Sequence, residues 1–598
     1  MRRRDRPTTW GLKGAFDPVV TRTDRVEVAE RVLADGTVLV GVDADDVKSS
    51  ALQLLEAGCE SICVFFINGY ANTGNEEIAV EAVRSVWPNN YVTAATEILP
   101  EIREFERLST ATLNAYLQPV VSSYLDRLSE SLSTREFGGD ILIVQSNGGV
   151  MSLDSARQYP VRTALSGPAA GVIAGNAIAA AAGFNNVITC DMGGTSFDVS
   201  LLSSGKPALA AQTAIDFGMV VRTPMIEITT IGAGGGSIAS VDPSGLLNVG
   251  PESAGSDPGP VCYGLGNDRP TVTDANLVLG RINPARPIGG KLDRLDVDAA
   301  RTAVEKTIAE PLGLGIEDAA EAILKVANAK MAGAIRLVSI ERGHDPANFA
   351  AMPFGGGGAL HTGALIKEVG LGSALVPRFP GVTSALGCVV ADMRHDRVQT
   401  VNRMLGDIDT VALGREMEGI AAETETYLHA ADIEFTGLDR LYEFDMLYLG
   451  QTHTVSVPVV IPEGGPEGGP ESGLTREDVR TAFEAAYLEA FGRLLADIPM
   501  RVVSYRIAVV GRRPKFDMSV FAPNAGKPAE ACQTGQRQVY ADGRFHTANI
   551  YERLELGVDA RIIGPALLEQ PDTTIFVDPG LTARVDAFGN LVIAPIGD

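Results

Sequence analysis

The stretch that decides the fold reads Asn186-Val-Ile-Thr-Cys-Asp-Met-Gly-Gly-Thr-Ser-Phe-Asp-Val-Ser-Leu-Leu-Ser-Ser-Gly205. Val187 to Cys190 is a short apolar run, and Phe197 to Leu202 is a second, mostly apolar one. Two such runs on either side of a glycine-containing turn are typical of a β-hairpin. The sequence therefore predicts a hairpin with an aspartate near the end of its first strand and two glycines at its tip.

The turn of this hairpin has the residue types of a phosphate site. Gly193 and Gly194 lack Cβ atoms, so backbone N–H groups can close on phosphate oxygens. Thr195 and Ser196 add hydroxyl donors, and Asp191 can hold Mg²⁺ or a water. A Walker loop is different, because it leads into a helix and carries a lysine that this turn lacks. An ordinary glycine hairpin is the alternative, and the turn alone does not decide between the two.

Composition limits the classes of function. At 598 residues the chain is too long for one core, and its length predicts three or four domains. The formal net charge of −25 would repel a phosphate backbone, so a nucleic-acid partner is not expected. Six cysteines lie scattered without a Cys-x-x-Cys pair, which favours reduced thiols and the cytoplasm over a disulfide framework or zinc site. No apolar run approaches the length of a membrane span, so no membrane association is expected.

Residues 20 to 135 alternate between strand-like and helix-like segments, which is the rhythm of an α/β domain. A long helical region is predicted from about Ile102 to Leu132, broken near Pro119. The next strand, Asp140 to Gln145, ends in Ser146-Asn147-Gly148-Gly149. Open α/β sheets bind ligands at the carboxyl ends of strands, so this turn is a candidate substrate contact.

A second glycine cluster follows a predicted strand at Asn348 to Pro353. It reads Phe354-Gly-Gly-Gly-Gly-Ala-Leu-His361 and leads into a helix that extends to Val369. Residues without side chains let the backbone approach a nucleotide closely, so this turn is predicted to contact adenosine or ribose. Close packing between the helix and the strand is the alternative.

Towards the carboxyl terminus the sequence predicts a surface loop and a small β-rich domain. The segment 461–473 is a Gly/Pro/Glu repeat that has little apolar surface to bury. After Phe516 the chain has frequent turn residues between short β-branched runs, such as Thr573 to Val577 and Leu591 to Ala594.

Taken in order, these motifs make the whole chain resemble the hydantoinase A/oxoprolinase family. That family comprises ATP-dependent enzymes acting on lactams and cyclic ureides, with relatives among acetone and acetophenone carboxylases. The motifs that carry the resemblance are Glu97-Ile-Leu-Pro-Glu-Ile-Arg-Glu-Phe-Glu-Arg107, Gln145-Ser-Asn-Gly-Gly149, Leu165-Ser-Gly-Pro-Ala-Ala-Gly171, Asp191-Met-Gly-Gly-Thr195, Ile231-Gly-Ala-Gly-Gly-Gly-Ser237, Pro270-Thr-Val-Thr-Asp-Ala-Asn276, Phe354 to His361 and Gly381-Val-Thr-Ser-Ala-Leu-Gly387.

The resemblance implies an α/β fold of the actin, hexokinase and Hsp70 type, which is ribonuclease H-like and two-lobed. The expected division is a remnant of the amino-terminal lobe at 1–100, the ATPase core at 101–395, an α+β region at 396–520 and a small β-rich domain at 521–598. Family members usually begin with a first phosphate hairpin of the Asp-x-Gly-Gly-Thr kind, and this chain starts in what resembles the region after it. The first lobe is therefore expected to be incomplete. Truncation is favoured over a lobe supplied by another polypeptide or a loss of ATP turnover.

The function implied by the resemblance is the ATP-dependent ring opening of a cyclic amide or imide, such as a hydantoin or 5-oxoproline. ATP would phosphorylate the amide carbonyl oxygen, with Mg²⁺ as cofactor and a hydantoinase B-type subunit as partner in a hetero-oligomer. An ATP-dependent carboxylase subunit for a ketone substrate is the alternative within enzymes. A non-catalytic scaffold subunit is the alternative outside them, because the first phosphate loop is absent.

The residue roles expected for this function fall into four groups. The predicted catalytic residues are Asp191, Asp198 and Asp274; the metal ligand is Asp191; the nucleotide contacts are Gly193, Gly194, Thr195, Ser196, Gly234, Gly235, Gly355, Gly356, Gly357 and Gly358; and the substrate contacts are Asn147, His361 and His453. Structural alternatives stand beside several of these. Asp198 is equally consistent with a solvated strand residue, Asp274 with a helix cap, and the two histidines with satisfied packing positions.

Overall fold

The structure is a computed structural model that describes residues 18–210, 212–216, 219–290, 292–429, 431, 433–462, 473–523 and 526–597. The chain forms two units, each built from three separate segments. Unit 1 comprises Met1–Ser166, Ala210–Met225 and Asp392–Pro514, and unit 2 comprises Gly167–Leu209, Ile226–Ala391 and Lys515–Asp598. The four-part division predicted along the sequence stays a prediction, and most of the predicted loop at 461–473 lies outside the described residues.

Unit 1 is organised around a six-stranded sheet. Met500–Arg512 pairs antiparallel with Gly437–Tyr448 on one side and with Met393–Met404 on the other. The strands in order across the sheet are Val455–Val459, Gly437–Tyr448, Met500–Arg512, Met393–Met404, Val150–Ser152 and Leu142–Val144. The segment Asp392–Pro514 therefore supplies the three longest strands of this sheet, which are neighbours.

The α/β alternation predicted near the amino terminus is confirmed in unit 1. Ile62–Val64 and Val92–Ala94 pair in parallel, and a helix precedes each of them. Their shared core buries Val47, Ala51, Val80 and Val83 of those helices. Short hairpins are formed by Arg31–Val32 with Val38–Val40 and by Thr213–Asp216 with Met219–Val221. The α-helices of unit 1 are Ala44–Glu56, Gly74–Arg84, Ala95–Ile98, Glu104–Thr134, Leu153–Gln158, Thr410–His429 and Arg476–Phe491.

The long helix of unit 1 corrects one prediction. Glu104–Thr134 continues through Pro119, whereas the sequence predicted a break there. A proline inside a helix removes a hydrogen bond and costs about 3 kcal/mol. The helix buries Leu113 and Gln118 before the proline and Ser122 and Leu125 after it. We attribute the continuity to this packing, which offsets the local cost.

Unit 2 contains a nine-stranded sheet that carries the predicted hairpin. The hairpin strands are Val187–Met192 and Phe197–Ser203, so the predicted hairpin is confirmed and both strands are slightly longer than expected. In order across the sheet the strands are Thr229–Ile231, Phe197–Ser203, Val187–Met192, Ala350–Phe354, Ser373–Val376, Leu591–Pro595, Leu581–Val585 and Arg561–Ile563, with Lys206–Pro207 paired to Phe197–Ser203.

The helix Ile316–Val338 contributes one face to the core of unit 2. Its buried positions, including Ala320, Ile323, Ala327 and Met331, recur at helical spacing and face one apolar cluster. The α-helices of this unit are Ser166–Ala182, which begins at the unit boundary, Val272–Val278, Val297–Val304, Glu310–Leu312, Ile316–Val338, Gly355–Gly358, Thr362–Val369 and Thr383–Val390, with a π-helical turn at Glu305–Ala309.

The carboxyl-terminal region is rich in strands, and a separate small domain there stays a prediction. A four-stranded sheet forms from Gln533–Ala541, Arg544–Glu552, Ala566–Gln570 and Thr573–Val577, in that order. The last two strands of the chain join the nine-stranded sheet instead. Ser237–Val241 and Leu247–Ser253 form a separate hairpin in the same unit.

The cysteines are all free thiols, as the sequence predicted. Cys190, Cys262 and Cys532 are buried. Cys63 is a separate case, because burial of its thiol raises the pKa of that group to about 12. Within the described ranges, no helix has both the length and the apolar character that crossing a bilayer requires.

Candidate functional site

The tip of the hairpin leaves backbone donors open. The Gly193 N–H donates to the Ser196 carbonyl at 3.1 Å, which closes the turn. Gly193, Gly194 and Thr195 are exposed. Among the residues that the structure describes, none accepts a hydrogen bond from the amides of Gly194, Thr195 or Ser196. Three consecutive amides without a protein acceptor are donors that an anion can use.

A second glycine-rich segment, Gly234 to Gly236, packs against this tip. The Gly235 and Gly236 amides donate to the carbonyls of Gly193 and Gly194 at 3.0 and 2.6 Å. A Cβ at Gly234 would lie 2.6 Å from the Thr195 nitrogen. The structure thus brings the predicted contacts Gly234 and Gly235 to the hairpin turn, and only glycine fits at 234.

Two carboxylates face each other across the hairpin. Asp191 and Asp198 are register partners, so their side chains lie on the same face of the sheet. Asp191 Oδ2 accepts from the Ser384 hydroxyl at 3.2 Å, and Asp198 Oδ1 accepts from the Thr230 hydroxyl at 2.6 Å. Burial and the nearby Asp198 raise the pKa of Asp191 to about 6, and burial also raises the pKa of Asp198.

These two carboxylates have the chemistry to hold Mg²⁺ if a bound phosphate and water supply the other ligands of the metal. Like charges placed directly opposite each other destabilise a hairpin, and a divalent cation would relieve the repulsion. The described residues contain no group of three or more acidic, histidine or cysteine side chains placed to hold a metal. Mg²⁺ commonly binds through one or two carboxylates and takes its other ligands from water and phosphate, so two carboxylates suffice.

The tetraglycine turn, Gly355–Gly358, lies beside this pair. Strand Ala350–Phe354 is parallel to Val187–Met192, and Phe354 is the register partner of Asp191. Gly355 has a φ of +78°, and a Cβ there would lie 2.4 Å from the Met192 carbonyl oxygen and 2.6 Å from Asp191 Oδ1. The close approach therefore requires glycine at 355. The two glycine motifs singled out in the sequence meet at Asp191.

Asp274 is buried and has a structural set of hydrogen bonds. Its oxygens accept from the amides of Thr271, Val261 and Cys262 at 2.8 to 3.1 Å and from the Thr271 hydroxyl at 2.8 Å. With Thr271 it forms a capping box on the helix Val272–Val278. The helix-cap alternative accounts for the bonds from Thr271, and the bonds from Val261 and Cys262 join the helix to another loop. A catalytic role for Asp274 stays a prediction.

The predicted substrate residues lie in three different environments. His361 is buried with 1% exposure, its Nδ1 is 2.6 Å from Asn328 Oδ1, and burial lowers its pKa to about 3. His453 is in an exposed turn. Asn147 lies in unit 1, where its amide donates to Asp396 at 2.5 Å. These three residues stay predictions as substrate contacts.

Two hydroxyl residues of the site were missed from the sequence. Ser384 belongs to the Gly381–Gly387 motif and bonds to Asp191 from the helix Thr383–Val390. Thr230 lies in the strand next to the hairpin and bonds to Asp198. The motif around Ser384 was a signal in the sequence, whereas Thr230 had none.

Comparison with protein-family models matches three regions of the chain to one family. The model described as Hydantoinase/oxoprolinase matches residues 107–397. The Hydantoinase/oxoprolinase C-terminal domain matches residues 424–592, and the Hydantoinase/oxoprolinase N-terminal region matches residues 1–87.

Similar curated proteins include enzymes of two kinds. The chain is 33% identical to the caprolactamase subunit alpha of Pseudomonas jessenii over 96% of this chain and 82% of that protein. It is 32% identical to the acetophenone carboxylase gamma subunit of Aromatoleum aromaticum over 97% of this chain and 80% of that protein. It is 33% identical to the 5-oxoprolinase of Saccharomyces cerevisiae over 91% of this chain and 42% of that longer protein.

A solved structure shares the whole fold. The crystal structure of the ATP-dependent caprolactamase from Pseudomonas jessenii matches 100% of this chain and 85% of its own, with a TM-score of 0.85 and 31% sequence identity. The two units described above therefore have the architecture of that enzyme.

Proposed function

The chain belongs to the hydantoinase/oxoprolinase family, and on that premise we propose that it uses ATP to open the ring of a cyclic amide or imide, such as a hydantoin or 5-oxoproline. The observation that carries the proposal is the Asp191–Asp198 pair, whose members are register partners of one hairpin. Three open backbone amides lie in the turn of that hairpin, and the tetraglycine turn is adjacent to Asp191. An anion cradle next to paired carboxylates is the chemistry that a magnesium-bound triphosphate needs.

The nucleotide would be held by residues of unit 2. The open amides of Gly194, Thr195 and Ser196 would take phosphate oxygens, and Asp191 with Asp198 would hold Mg²⁺. Gly355 to Gly358 would contact the adenosine or ribose, because a glycine backbone permits close approach. The bound cation would neutralise phosphate charge, and the protein's own part is to position the groups and supply fixed donors.

The proposed reaction activates a poor electrophile. Amide resonance makes the ring carbonyl unreactive towards water. Attack of the carbonyl oxygen on the terminal phosphorus of ATP would form a carbon–oxygen–phosphorus link and release ADP. Water would then add to that carbon, and cleavage of the ring carbon–nitrogen bond would release the amine and leave an acyl phosphate. A second water would hydrolyse the acyl phosphate to the ring-opened acid and phosphate.

We further propose that the fold is a variant of the actin, hexokinase and Hsp70 type and that a hydantoinase B-type chain is the partner. The antiparallel hairpin joined to a parallel strand and a glycine turn supports the fold proposal. The similar caprolactamase and acetophenone carboxylase chains are subunits, which supports a hetero-oligomer.

The test is a coupled assay of the full chain, alone and co-purified with a candidate B-type subunit. Substrate-stimulated ADP release and the ring-opened product would be measured with 5-oxoproline, hydantoin and caprolactam. We expect at least one of these substrates to give ADP and ring-opened acid in equal amounts with the partner present. Absence of nucleotide binding by calorimetry and of ADP release with every substrate would refute the proposal.

A ketone carboxylase subunit is the second candidate, because the acetophenone carboxylase gamma subunit is nearly as similar as caprolactamase. The same assay separates the two activities. Acetone or acetophenone with bicarbonate, in place of a cyclic amide, would stimulate ADP release and give a carboxylated product. A chain that releases ADP only with ketone and bicarbonate would be assigned to the carboxylases.

A further inference from the structure

A turn of the carboxyl-terminal four-stranded sheet contacts the proposed nucleotide site. The strands Ala566–Gln570 and Thr573–Val577 are antiparallel neighbours, and their register ends at the pair of Gln570 with Thr573. Pro571 and Asp572 connect the two strands, and residues 570–573 are named the 570–573 turn. The phosphate and glycine motifs of the sequence do not include this turn, and its strands belong to a different sheet from the phosphate hairpin.

The hydroxyl of Thr573 holds the tetraglycine turn. Thr573 is fully buried, and its Oγ1 donates to the Gly356 carbonyl at 3.0 Å. In a trans peptide the carbonyl and the following N–H point in opposite directions, so fixing the Gly356 carbonyl also fixes the Gly357 amide. Gly357 is the third residue of the helix Gly355–Gly358, and the first amides of a helix have no acceptor within it. Thr573 therefore orients a backbone donor that the helix itself does not use.

Asp572 holds a second segment of the site. Its Oδ2 accepts from the Gly381 amide at 2.8 Å, and a Cβ at Gly381 would lie 2.7 Å from the Asp572 Cβ. Gly381 stands two residues before the helix Thr383–Val390, whose Ser384 donates to Asp191 at 3.2 Å. Asp572 therefore fixes the start of the segment whose hydroxyl meets the proposed metal ligand.

Gln570 orients the Asp572 carboxylate. Gln570 is 5% exposed, and its Nε2 donates to Asp572 Oδ1 at 2.6 Å and to the Arg378 carbonyl at 3.2 Å. Each carboxylate oxygen of Asp572 therefore has a donor within the fold. One short turn thus bonds to both of the glycine-containing segments that contact Asp191.

We propose that the 570–573 turn positions the nucleotide site, with Thr573 fixing the tetraglycine turn and Asp572 fixing the segment that carries Ser384. The side chains of the turn are positioning residues, because they act through the backbone of these two segments. The inference rests on the proposed nucleotide site and extends it to residues of another sheet. Preorganised groups bind a ligand more tightly, since less conformational freedom is lost on binding. Loss of either contact should therefore weaken nucleotide binding, whereas loss of a similar bond elsewhere should not.

The first test is calorimetric binding of ADP with Mg²⁺ to the full chain. Thr573→Val keeps the shape of the side chain but removes the hydroxyl, and we expect it to weaken ADP binding roughly 3- to 10-fold, the usual net effect of one hydrogen bond. Thr573→Ser should restore most of the affinity. Thr582→Val is the matched control, because the Thr582 hydroxyl bonds to the Ile562 carbonyl at 3.2 Å on a strand that two others separate from Ala350–Phe354. It removes the same kind of bond outside the site and should leave the affinity unchanged.

The second test is hydrogen exchange in the nucleotide-free chain, followed by mass spectrometry. In Asp572→Ala we expect the peptide that contains Gly381 and Ser384 to exchange faster, because the Gly381 amide has lost its acceptor. Asp572→Asn keeps an acceptor for that amide and should exchange nearly as the unmodified chain does. Asp572→Ala should also weaken ADP binding roughly 10-fold.

Thermal unfolding shows whether each variant is folded, and the two Thr573 variants decide the question if Asp572→Ala fails to fold. Equal ADP affinity of Thr573→Val and the unmodified chain, equal losses in Thr573→Val and Thr582→Val, or unchanged exchange in Asp572→Ala would overturn the proposal. An unmodified chain that binds no ADP would refute the proposed nucleotide site itself and this inference with it. Binding by the unmodified chain that the variants retain in full would overturn only the role of the turn.

Discussion

At the scale of single residues, the Asp191–Asp198 pair of the proposed site has a cost in stability. Two carboxylates in register on one face of a hairpin repel each other, and burial of Asp191 adds to the cost of its charge. An unliganded hairpin would be more stable with one of them neutral. Such a local cost is typical of functional positions.

Replacing Asp191 by asparagine tests this cost. We expect Asp191→Asn to lower substrate-stimulated ADP release at least roughly 100-fold, since a fixed charge at the phosphates is lost. The same variant should raise the unfolding free energy of the nucleotide-free chain by about 1 kcal/mol, because the cross-strand repulsion disappears. Activity assays and urea unfolding measure the two effects. Asp293→Asn, at an exposed aspartate of unit 2, should change neither.

His361 has a predictable effect on acid stability. Its pKa is lowered from 6.5 to about 3, first by burial and then by Arg281. The unfolded chain therefore binds a proton at this residue below about pH 6.5 while the folded chain does not, so stability falls as pH drops towards 3. At pH 5 the loss from this residue is about 2 kcal/mol.

His361→Asn removes this titration and can keep the hydrogen bond to Asn328. We expect the decrease in unfolding free energy between pH 7.5 and pH 5 to be about 2 kcal/mol smaller than in the unmodified chain. His453→Asn, at an exposed histidine, serves as the control and should leave the pH dependence unchanged. An unaltered acid profile for His361→Asn would show that this histidine ionises freely in the folded chain.

Residue roles were the part that the sequence left most open. Asp191 and its glycines were identifiable because the turn chemistry is local. For Asp274 the sequence allowed either a catalytic residue or a helix cap. The choice depends on which groups surround its oxygens, and the amides of Val261 and Cys262 come from another loop. The bond from Thr573 to the Gly356 carbonyl joins segments distant in the chain, so no sequence pattern marks it.

At the scale of elements, the first residue of the tetraglycine turn is the one whose geometry requires glycine. Gly355 has a left-handed conformation and lies against Met192 and Asp191, whereas a Cβ added at Gly356 would meet no atom within 4 Å. Four glycines that look alike in sequence therefore have unequal requirements.

Alanine substitutions separate these positions. Gly355→Ala should destabilise the chain by about 2 kcal/mol or more and weaken nucleotide binding, because the added methyl group meets backbone atoms at a positive φ. Gly356→Ala should change stability by less than about 1 kcal/mol. Thermal unfolding and nucleotide calorimetry check both variants. Equal destabilisation by the two alanines would contradict the geometry of the turn.

Element boundaries were predicted well where the pattern was strong. The hairpin and the strand Thr573–Val577 both have runs of apolar and β-branched residues. The long helix through Pro119 was predicted with a break because its continuity depends on burial of the surrounding face, which local propensity does not report.

At the scale of the whole molecule, each unit is assembled from distant segments. The sheet of unit 1 takes its longest strands from Asp392–Pro514, and the sheet of unit 2 takes three strands from Lys515–Asp598. The sequence indicated α/β and β-rich regions in the right order. No sequence pattern indicated that the chain leaves and re-enters each unit. The passage of the chain from one unit to the other depends on strand pairing between distant segments.

A polypeptide ending at Ala391 should therefore fail to fold. It would retain Leu142–Val144 and Val150–Ser152 without the neighbouring strands of their sheet, and unit 2 would lose its terminal strands as well. We expect no cooperative thermal transition and rapid proteolysis, in contrast to the full chain. Joining the three segments of unit 1 by short linkers, with the others removed, provides the comparison. A sharp cooperative transition for residues 1–391 would contradict this partition.

The parallel pairing of Ala350–Phe354 with Val187–Met192 ties segments that are far apart along the chain, so a long loop must close before these strands meet. We therefore expect the proposed nucleotide site to form late in folding. A ligand that recognises only the completed site stabilises the native state but not the transition state that precedes it. Stopped-flow measurements should show ATP with Mg²⁺ slowing unfolding while leaving the refolding rate unchanged.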